Sequence, residues 1–415
     1  MKSVSLAKAI ASTLAALALI STCAPSSLAN DEIAELHDRT LTIDSHIDWP
    51  FRQTLVPDFD PGIRHEPGEP GSGQWDIPRM EEGGLDAVFL AIFVPQRERT
   101  PEGLATATAL AEESIDLTEA MVANNGDRVE FAFSPADIVR IENTGKRAIL
   151  MGIENGYALG GDLDNVEYFY DRGVRYITLT HSKNNTLGDS STDEQQEWEG
   201  LSPFGADVVK EMNRLGMMVD ISHVHDDTFW DVIALTQAPV IASHSSARSL
   251  RDVPRNMTDD MLRAVRDNGG VVHVCLLGDY IKDVEQSLER EAALAELADE
   301  RAAWLAGELS DAEVEALIAR FREINAQYPE NKPTLANAVD HIDRMVEIMG
   351  VDHVGIGSDF DGGGGLIDIN DVSEMPNITQ ELLDRGYTEA DIQKLWGGNL
   401  MRVFADVMEI AEATP

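Results

Sequence analysis

Residues 41–50 read LTIDSHIDWP, an apolar run that ends abruptly on a histidine, a carboxylate and a proline. Side chains alternate between the two faces of a β-strand, so His46 and Asp48 project from one face and Ile47 from the other. An imidazole and a carboxylate that share a face at a strand end make up half of a metal site. A single pair of this kind is more often an ordinary polar strand end, so the interpretation depends on whether the arrangement recurs.

The arrangement recurs, because apolar segments of strand length follow one another along the chain and most end on a residue that can bind a metal. The predicted strands cover residues 40–46, 85–94, 147–153, 174–180, 217–221, 239–242, 271–277 and 353–358. Helical segments lie between most of them, and continuous apolar strands that alternate with helices are typical of a parallel sheet covered on both faces. Eight such strands predict an α/β fold, the (β/α)8 TIM barrel.

The chain is predicted to form one domain behind an export signal. Residues 1–29 combine a basic start, a short apolar core and the small-residue end SLA, which is the pattern of a secretory signal peptide. Lipid attachment at Cys23 is the second alternative, because the residues before it loosely resemble a lipoprotein signal. Residues 30–415 then form a single barrel domain. The protein is expected to be periplasmic or extracellular, and membrane-bound only if Cys23 is lipidated.

Two segments depart from the regular alternation. Residues 283–349, between the last two predicted strands, are much longer than one crossover needs, and their composition predicts an inserted helical hairpin with a break at residues 310–311. Residues 51–75 are rich in proline and glycine and are predicted to form a long loop. Long loops without secondary structure are uncommon unless they are functional, so this loop is expected near the site.

The formal net charge of −42 limits the possible partners. The electrostatic field of so negative a chain repels nucleic acid and anionic membrane surfaces, so a polyanion-binding role is excluded. Cys23 and Cys275 are the only cysteines, and removal of the signal leaves one thiol, which cannot form an internal disulfide. The core or a bound metal must therefore stabilise the exported protein.

In a barrel of this kind, residues at the C-terminal ends of the strands meet at one rim. The residues expected there are imidazoles and carboxylates from different strands: His46, Asp48, Glu154, His181, His223, His244 and Asp359. This donor set suits zinc, with manganese or cobalt as alternatives. It is too large for one tetrahedral ion and about right for a binuclear site in which two ions share a carboxylate and a water. Such a water becomes hydroxide at neutral pH, the nucleophile for amide or ester hydrolysis.

Several short motifs, taken in order, resemble the membrane (renal) dipeptidase family of zinc hydrolases from residue 40 to residue 405. The motifs are HID at 46–48, GIENG at 152–156, TLTHS at 178–182, DISH at 220–223, SHSSA at 243–247, RN at 255–256 and GSDFDG at 357–362. No single motif is specific, but the ordered set is. The framework cysteines of the mammalian members are missing, so side-chain preference and a membrane anchor are not carried over.

The resemblance implies a metal-binding role for each matching ligand residue. It implies that His46 and Asp48 bind one Zn²⁺, that His223 and His244 bind the other, and that Glu154 bridges the two ions. It also implies a homodimer and a small dipeptide as the substrate.

The resemblance further implies which residues act on the substrate. His181 would stabilise the oxyanion at the scissile carbonyl, and Arg255 would bind the terminal carboxylate, for which a guanidinium is well matched. Asp359 would position the bridging hydroxide and pass its proton to the leaving amine. Asp361 is the alternative for that role, although its Gly-rich continuation is typical of a turn. Tyr280, just past the seventh strand, is expected to line the pocket.

Three functions are therefore weighed. The leading hypothesis is an exported zinc-dependent dipeptidase that hydrolyses the peptide bond through a metal-bridging hydroxide. The second is a metal-dependent hydrolase of another small amide, such as an N-acyl amino acid or a lactam, since hydrolases on this barrel share the nucleophile and differ in their loops. The third is a non-catalytic metal-binding envelope protein, which would require the loss of a catalytic group, and every expected group is present.

Overall fold

The computed structural model describes residues 27–56, 58–67, 71–305 and 309–413. The strands are β1 (Ile43–Ile47), β2 (Ala87–Phe93), β3 (Val129–Phe131), β4 (Arg147–Glu154), β5 (Val174–Thr178), β6 (Met218–Asp220), β7 (Ile241–Ala242), β8 (Val271–Cys275) and β9 (Val354–Gly357). Residues 1–26, which hold most of the predicted signal peptide and Cys23, lie outside the described residues. Within the described ranges, no helix is both long and apolar enough to cross a membrane.

The α-helices alternate with these strands along most of the chain. They are α1 (Ser27–Asp38), α2 (Trp49–Leu55), α3 (Ile77–Glu82), α4 (Pro101–Asn124), α5 (Pro135–Glu142), α6 (Asp164–Asp171), α7 (Pro203–Leu215), α8 (Asp226–Leu235), α9 (Asp259–Asn268), α10 (Gly278–Ile281), α11 (Leu288–Ala295), α12 (Ala298–Leu305), α13 (Asp311–Gln327), α14 (Leu335–Met349), α15 (Pro376–Asp384), α16 (Glu389–Gln393) and α17 (Asn399–Ala413). Several begin at a side-chain cap: Thr258, for example, accepts a hydrogen bond from the backbone of Met261 at the start of α9.

The strands form a barrel of parallel strands in the order β1-β2-β4-β5-β6-β7-β8-β9. The first and last strands meet where they end: the Asp48 amide donates to the Phe360 carbonyl (2.8 Å), and the Asp359 amide donates to the His46 carbonyl (3.0 Å). The predicted (β/α)8 barrel is confirmed, and its closure places the end of the first strand beside the end of the last.

Strand β3 was not predicted from the sequence. It pairs with residues 147–149 at the start of β4, before β5 takes over the same edge at Met151. At three residues, it is too short to give an apolar pattern that stands out.

The N-terminal end of the barrel is filled by apolar side chains and covered by α17. The rings of Phe89 and Tyr176 lie 5.3 Å apart inside the barrel, and Phe404 of α17 lies 6.4 Å from Phe89. Gly152 makes room for this packing, since a Cβ there would come within 2.1 Å of the Tyr176 ring. The interior is therefore apolar at one end, which leaves the C-terminal end of the strands for polar side chains.

The predicted loop at residues 51–75 is partly wrong, because α2 (Trp49–Leu55) occupies its first residues. Pro50 lies in the first turn of this helix, where proline is favoured, and the prolines and glycines that predicted the loop all lie beyond the end of the helix at Leu55. The end of the segment lies beside the strand ends, as expected. There the Gln74 amide donates to Asp361 Oδ1 at 2.8 Å, and the Gln74 side chain donates to the Gly364 carbonyl at 2.8 Å.

The insertion before the last strand is helical, as predicted, but it is not a simple hairpin. It consists of α11, α12 and α13, and α13 begins after Ser310, whose side chain forms a capping box with Glu313. The following helix, α14, packs against α9 and α15 and against β8 and β9. α14 is thus the barrel helix that precedes β9, and α11, α12 and α13 form the inserted segment.

Candidate metal centre

The imidazoles and carboxylates predicted at the strand ends do meet at one rim of the barrel. His46 lies in β1, Glu154 is the last residue of β4, and the others lie one to three residues after the ends of β1, β5, β6, β7 and β9. The side chains of His46, Asp48, Glu154, His223, His244 and Asp359 are all buried. The barrel thus brings together side chains that lie more than three hundred residues apart in the sequence.

One set of donor atoms surrounds His46. Its Nε2 atom lies 3.4 Å from Asp48 Oδ2 and 3.6 Å from Glu154 Oε2. Both His46 Nε2 and Asp48 Oδ2 are buried, and neither has a hydrogen-bond partner in the described part of the chain. Buried polar atoms are normally paired, so two unpaired donor atoms that face each other fit a cation between them.

A second set surrounds the other oxygen of Glu154. His223 Nε2 lies 3.1 Å and His244 Nε2 lies 3.5 Å from Glu154 Oε1, and the two Nε2 atoms are 2.9 Å apart. Two unprotonated imidazole nitrogens at this separation repel each other unless a proton or a cation lies between them. Glu154 therefore presents one oxygen to each donor set, which is the geometry of a bridging carboxylate.

The electrostatics of the rim favour positive charge at His46 and neutral imidazoles at the second set. Burial opposes protonation of His46, but Tyr176, Glu154 and Asp48 together raise the pKa of its imidazole well above the usual value. Burial lowers the pKa of His223 and of His244 well below the usual value. The neutral imidazole is the form that binds metals, so the lowered pKa values of His223 and His244 favour the form that a metal ligand must have.

His181 lies at the open edge of the centre. Its Nε2 atom is 3.8 Å from Glu154 Oε1, and its side chain is 24% exposed, whereas the other ligand candidates are nearly inaccessible. The ring packs on Phe93 at a centroid distance of 4.7 Å and on His223 at 4.4 Å. His181 thus faces the side from which a substrate would enter.

Asp359 and Asp361 lie on opposite sides of the turn that follows β9. Asp359 Oδ2 accepts a hydrogen bond from the Cys275 thiol at 3.5 Å, and a carboxylate oxygen of Asp359 lies within 4.8 Å of a ring nitrogen of His46 and of His244, close enough for the three atoms to share one ion. Asp361 is instead paired with Arg52, at 3.2 Å from Nε to Oδ1, and with the Gln74 amide. The structure thus brings Asp359, and not Asp361, to the donor sets.

Glycine is required in this turn because the chain passes close to the carboxylates. A Cβ on Gly362 would lie 2.1 Å from Asp48 Oδ2 and 2.3 Å from Asp359 Oδ1. Any side chain at this position would therefore displace the donor atoms. The Gly-rich continuation noted in the sequence belongs to the metal centre and not only to the turn.

Arg255 lies beside the second donor set with part of its guanidinium unused. Its Nη1 donates to Ser245 Oγ and its Nη2 to the His244 carbonyl, each at 2.7 Å, and its Cζ lies 5.4 Å from the centroid of the Tyr280 ring. The Nε atom is buried and has no hydrogen-bond partner within the described ranges. A guanidinium offers five N–H donors, so Arg255 is held in place and still has donors for an anion. Burial raises the pKa of Tyr280 to about 12, so its hydroxyl stays protonated.

Two buried residues near His46 were missed in the sequence. Asp44 Oδ1 accepts hydrogen bonds from the amides of His46 and Ser358, each at 3.0 Å, and so ties β1 to the end of β9. Tyr176 places its hydroxyl 2.9 Å from His46 Nδ1. The signal in both cases is a polar residue inside an apolar strand, which by itself does not show which partner it meets.

A parallel barrel whose rim gathers two donor sets around one shared carboxylate defines a metal-dependent hydrolase. Comparison with known proteins identifies its family: the chain belongs to the membrane dipeptidase family (peptidase family M19), whose sequence model matches residues 30–415. The chain is thus a metallo-dipeptidase, and the family resemblance found in the sequence is confirmed.

Individual relatives agree with this assignment. The chain is 33% identical to dipeptidase tcpJ of Claviceps purpurea over 373 residues, which cover 89% of this chain and 77% of the relative. It is 33% identical to dipeptidase aclJ of Aspergillus oryzae over 347 residues, 82% of this chain and 72% of the relative. Among solved structures, the probable dipeptidase PvdM of Pseudomonas aeruginosa superposes with a TM-score of 0.77 at 32% identity, covering 92% of this chain and 98% of that one.

Proposed function

We propose that this chain is an exported zinc-dependent dipeptidase that binds two Zn²⁺ at the rim of its barrel. The proposal rests on the position of the Glu154 carboxylate, whose two oxygens face different donor sets. Oε2 lies 3.6 Å from His46 Nε2, and Oε1 lies 3.1 Å from His223 Nε2. His46 and Asp48 would hold one cation, His223 and His244 the other, and Glu154 both. Imidazole and carboxylate donors without a thiolate suit zinc.

The chain's own residues supply the rest of the chemistry. When bound, the two cations supply an acidified water as the nucleophile and polarise the scissile carbonyl. His181, at the open edge, donates a hydrogen bond to the oxygen of that carbonyl as negative charge develops on it. Asp359 accepts a proton from the water and returns it to the leaving amine. The buried surroundings of Asp48 and Asp359 keep bulk solvent away from these groups.

Arg255 indicates the class of substrate, because its guanidinium can bind a free carboxylate. Its guanidinium is fixed by Ser245 and by the His244 carbonyl, next to the second donor set, and its Nε has no partner among the residues that the structure describes. A carboxylate bound there would lie close to a peptide bond held at the metal centre. In a dipeptide the free carboxylate is one residue from the scissile bond, which favours dipeptides over longer peptides.

Purified protein should release free amino acids from dipeptides in a metal-dependent manner. We expect hydrolysis of at least part of a broad dipeptide panel, loss of activity after dialysis against a chelator, and recovery on addition of Zn²⁺. The measurement is amino-acid release with and without chelator, with tripeptides and N-acyl amino acids in the same panel. No chelator-sensitive release from any dipeptide would refute the proposal. Faster cleavage of N-acyl amino acids would instead support the small-amide hydrolase.

Export is a separate part of the proposal and has a separate test. It is supported by the basic start, the apolar core and the small-residue end of residues 1–29. The intact mass of the protein recovered outside the cytoplasm should correspond to a chain that begins at Asn30. A mass that instead fits a lipid-modified Cys23 would show anchoring to a membrane, and an unprocessed chain that starts at Met1 in the cytoplasm would contradict export.

A further inference from the structure

A buried carboxylate at the end of β6, three residues before His223, has no role in the chemistry described so far. Asp220, the last residue of β6, is fully buried. Its Oδ1 accepts the amides of Ser222 (3.0 Å) and Ser243 (2.9 Å). Its Oδ2 accepts the hydroxyls of Ser243 (2.6 Å) and Thr178 (2.5 Å). All of its contacts come from donors, as expected for an ionised carboxylate.

The hydrogens in this network can be assigned one by one. Ser243 has a single hydroxyl hydrogen, and it points to Asp220 because the carboxylate can only accept. Ser243 Oγ also lies 2.8 Å from His244 Nδ1. Since the hydroxyl hydrogen is already used, this contact requires a hydrogen on Nδ1. A neutral His244 with its hydrogen on Nδ1 carries a lone pair on Nε2, the atom that faces Glu154 and His223.

We infer that Asp220 is a positioning residue that acts through Ser243 to hold His244 in the tautomer that presents Nε2 to a cation. The inference rests on the proposed metal centre and adds a residue that touches neither metal nor substrate. Partners of this kind orient metal-binding histidines in many proteins, and their loss typically lowers metal affinity about 10- to 100-fold.

The other half of the centre has its own support, which makes the expected effect selective. The Nδ1 atom of His46 lies 2.9 Å from the Tyr176 hydroxyl, and that hydroxyl donates to the Ser45 carbonyl at 3.2 Å. Ser243 Oγ is 3.5 Å from the same nitrogen, which is at the limit of a hydrogen bond. Loss of Asp220 should therefore weaken the cation held by His244 more than the cation held by His46.

Asp220→Asn tests the inference with almost no change of shape. Its Oδ1 can still accept both amides, but its other terminus becomes an NH₂ group that donates to Ser243 and Thr178. The Ser243 hydrogen must then turn to His244 Nδ1, which places the histidine hydrogen on Nε2, against the cation. In serine proteases, the corresponding aspartate-to-asparagine change likewise leaves the geometry intact and gives the wrong histidine tautomer.

The readout is Zn²⁺ binding to metal-free protein in competition with a chromophoric chelator, followed by metal analysis. We expect two tight sites per chain in the unchanged protein. In Asp220→Asn we expect one tight site and a second weakened about 10- to 100-fold. Ser243→Ala, which breaks the link while the carboxylate remains, should weaken the same site.

A matched control is Asp189→Asn. Asp189 is also fully buried, and its carboxylate accepts the amides of Glu197, Trp198 and Gly200 without touching a histidine. The Asp189→Asn variant should retain both tight Zn²⁺ sites. A thermal unfolding transition, measured for each variant without metal, checks that the variant is folded.

The possible outcomes separate this inference from the proposed function. If the unchanged protein binds two Zn²⁺ and Asp220→Asn binds both with the same affinity, the role of Asp220 is refuted and the metal centre stands. Equal weakening in Asp189→Asn would also refute it, because the effect would then be general destabilisation. If the unchanged protein binds no metal, both this inference and the proposed centre fail.

Discussion

Asp359→Asn is expected to lower kcat for dipeptide hydrolysis by about 100- to 10,000-fold, the range for loss of a general acid–base group. Asparagine has nearly the same size as aspartate but cannot take a proton from the nucleophilic water or return it to the leaving amine. Asp359 is buried beside the donor atoms of His46 and His244, so no bulk water replaces it. Steady-state kinetics on a good dipeptide measure the effect, which should fall mainly on kcat because Asp359 does not bind the substrate carboxylate.

Asp361→Asn is the matched control for this substitution. Asp361 lies two residues away, is also buried, and is paired with Arg52 and with the Gln74 amide instead of the metal centre. The loss of a charge opposite Arg52 should lower thermal stability, whereas kcat below the unfolding transition should stay within a few-fold of the unchanged protein. If Asp361→Asn removed activity and Asp359→Asn did not, the proton-transfer role would belong to Asp361.

Arg255→Ala is expected to lower kcat/KM for dipeptides by about 30-fold or more, chiefly through KM. Truncation of one partner of a buried, hydrogen-bonded charge pair costs about 2–5 kcal/mol, and about 1.4 kcal/mol corresponds to a factor of ten. The sharper readout is the preference of the enzyme for a dipeptide over the same dipeptide with an amidated C-terminus. The unchanged protein should discriminate strongly between these two substrates, and Arg255→Ala should discriminate little.

The arginine substitution needs a control for loss of charge alone. Arg263 lies on the exposed side of α9 and pairs with Asp260 at 2.6 Å, away from the rim, so Arg263→Ala should leave KM unchanged. Arg255→Lys retains the charge but not the fork of donors, and should recover only part of the loss. An unchanged preference for the free carboxylate in Arg255→Ala would show that this arginine does not bind the substrate carboxylate, and would favour the small-amide alternative.

The barrel was predictable because its strands are buried on both faces and therefore read as continuous apolar runs. The runs that ended on His181, His223 and His244 were correct in type and differed from the observed strands by only a few residues at their ends. β3 and α2 were not found, because a strand of three residues has no usable pattern, and α2 is a helix of seven residues that leads into a proline- and glycine-rich segment. Both elements are too short for their own pattern to stand out.

The contacts that support the site could not be predicted from the sequence, for a different reason. Tyr176 meets His46 across 130 residues, and Gly152 must lack a side chain for the tyrosine ring to fit. Asp220 is linked to the His244 imidazole through the Ser243 hydroxyl. These residues resemble ordinary members of apolar strands, and a hydrogen bond between distant strands leaves no periodic pattern in either one.

The sequence by itself determined which side chains stand at the rim, since the alternation of strand residues and the direction of parallel strands follow from local patterns. Only the tertiary structure decided how those side chains divide into two donor sets around Glu154. The physical reason is closure: hydrogen bonds join Asp48 to Phe360 and Asp359 to His46, and the number of strands and their stagger set the circumference of the closed barrel. That circumference sets the distance across the rim between imidazoles on different strands, and no local pattern along the chain encodes it.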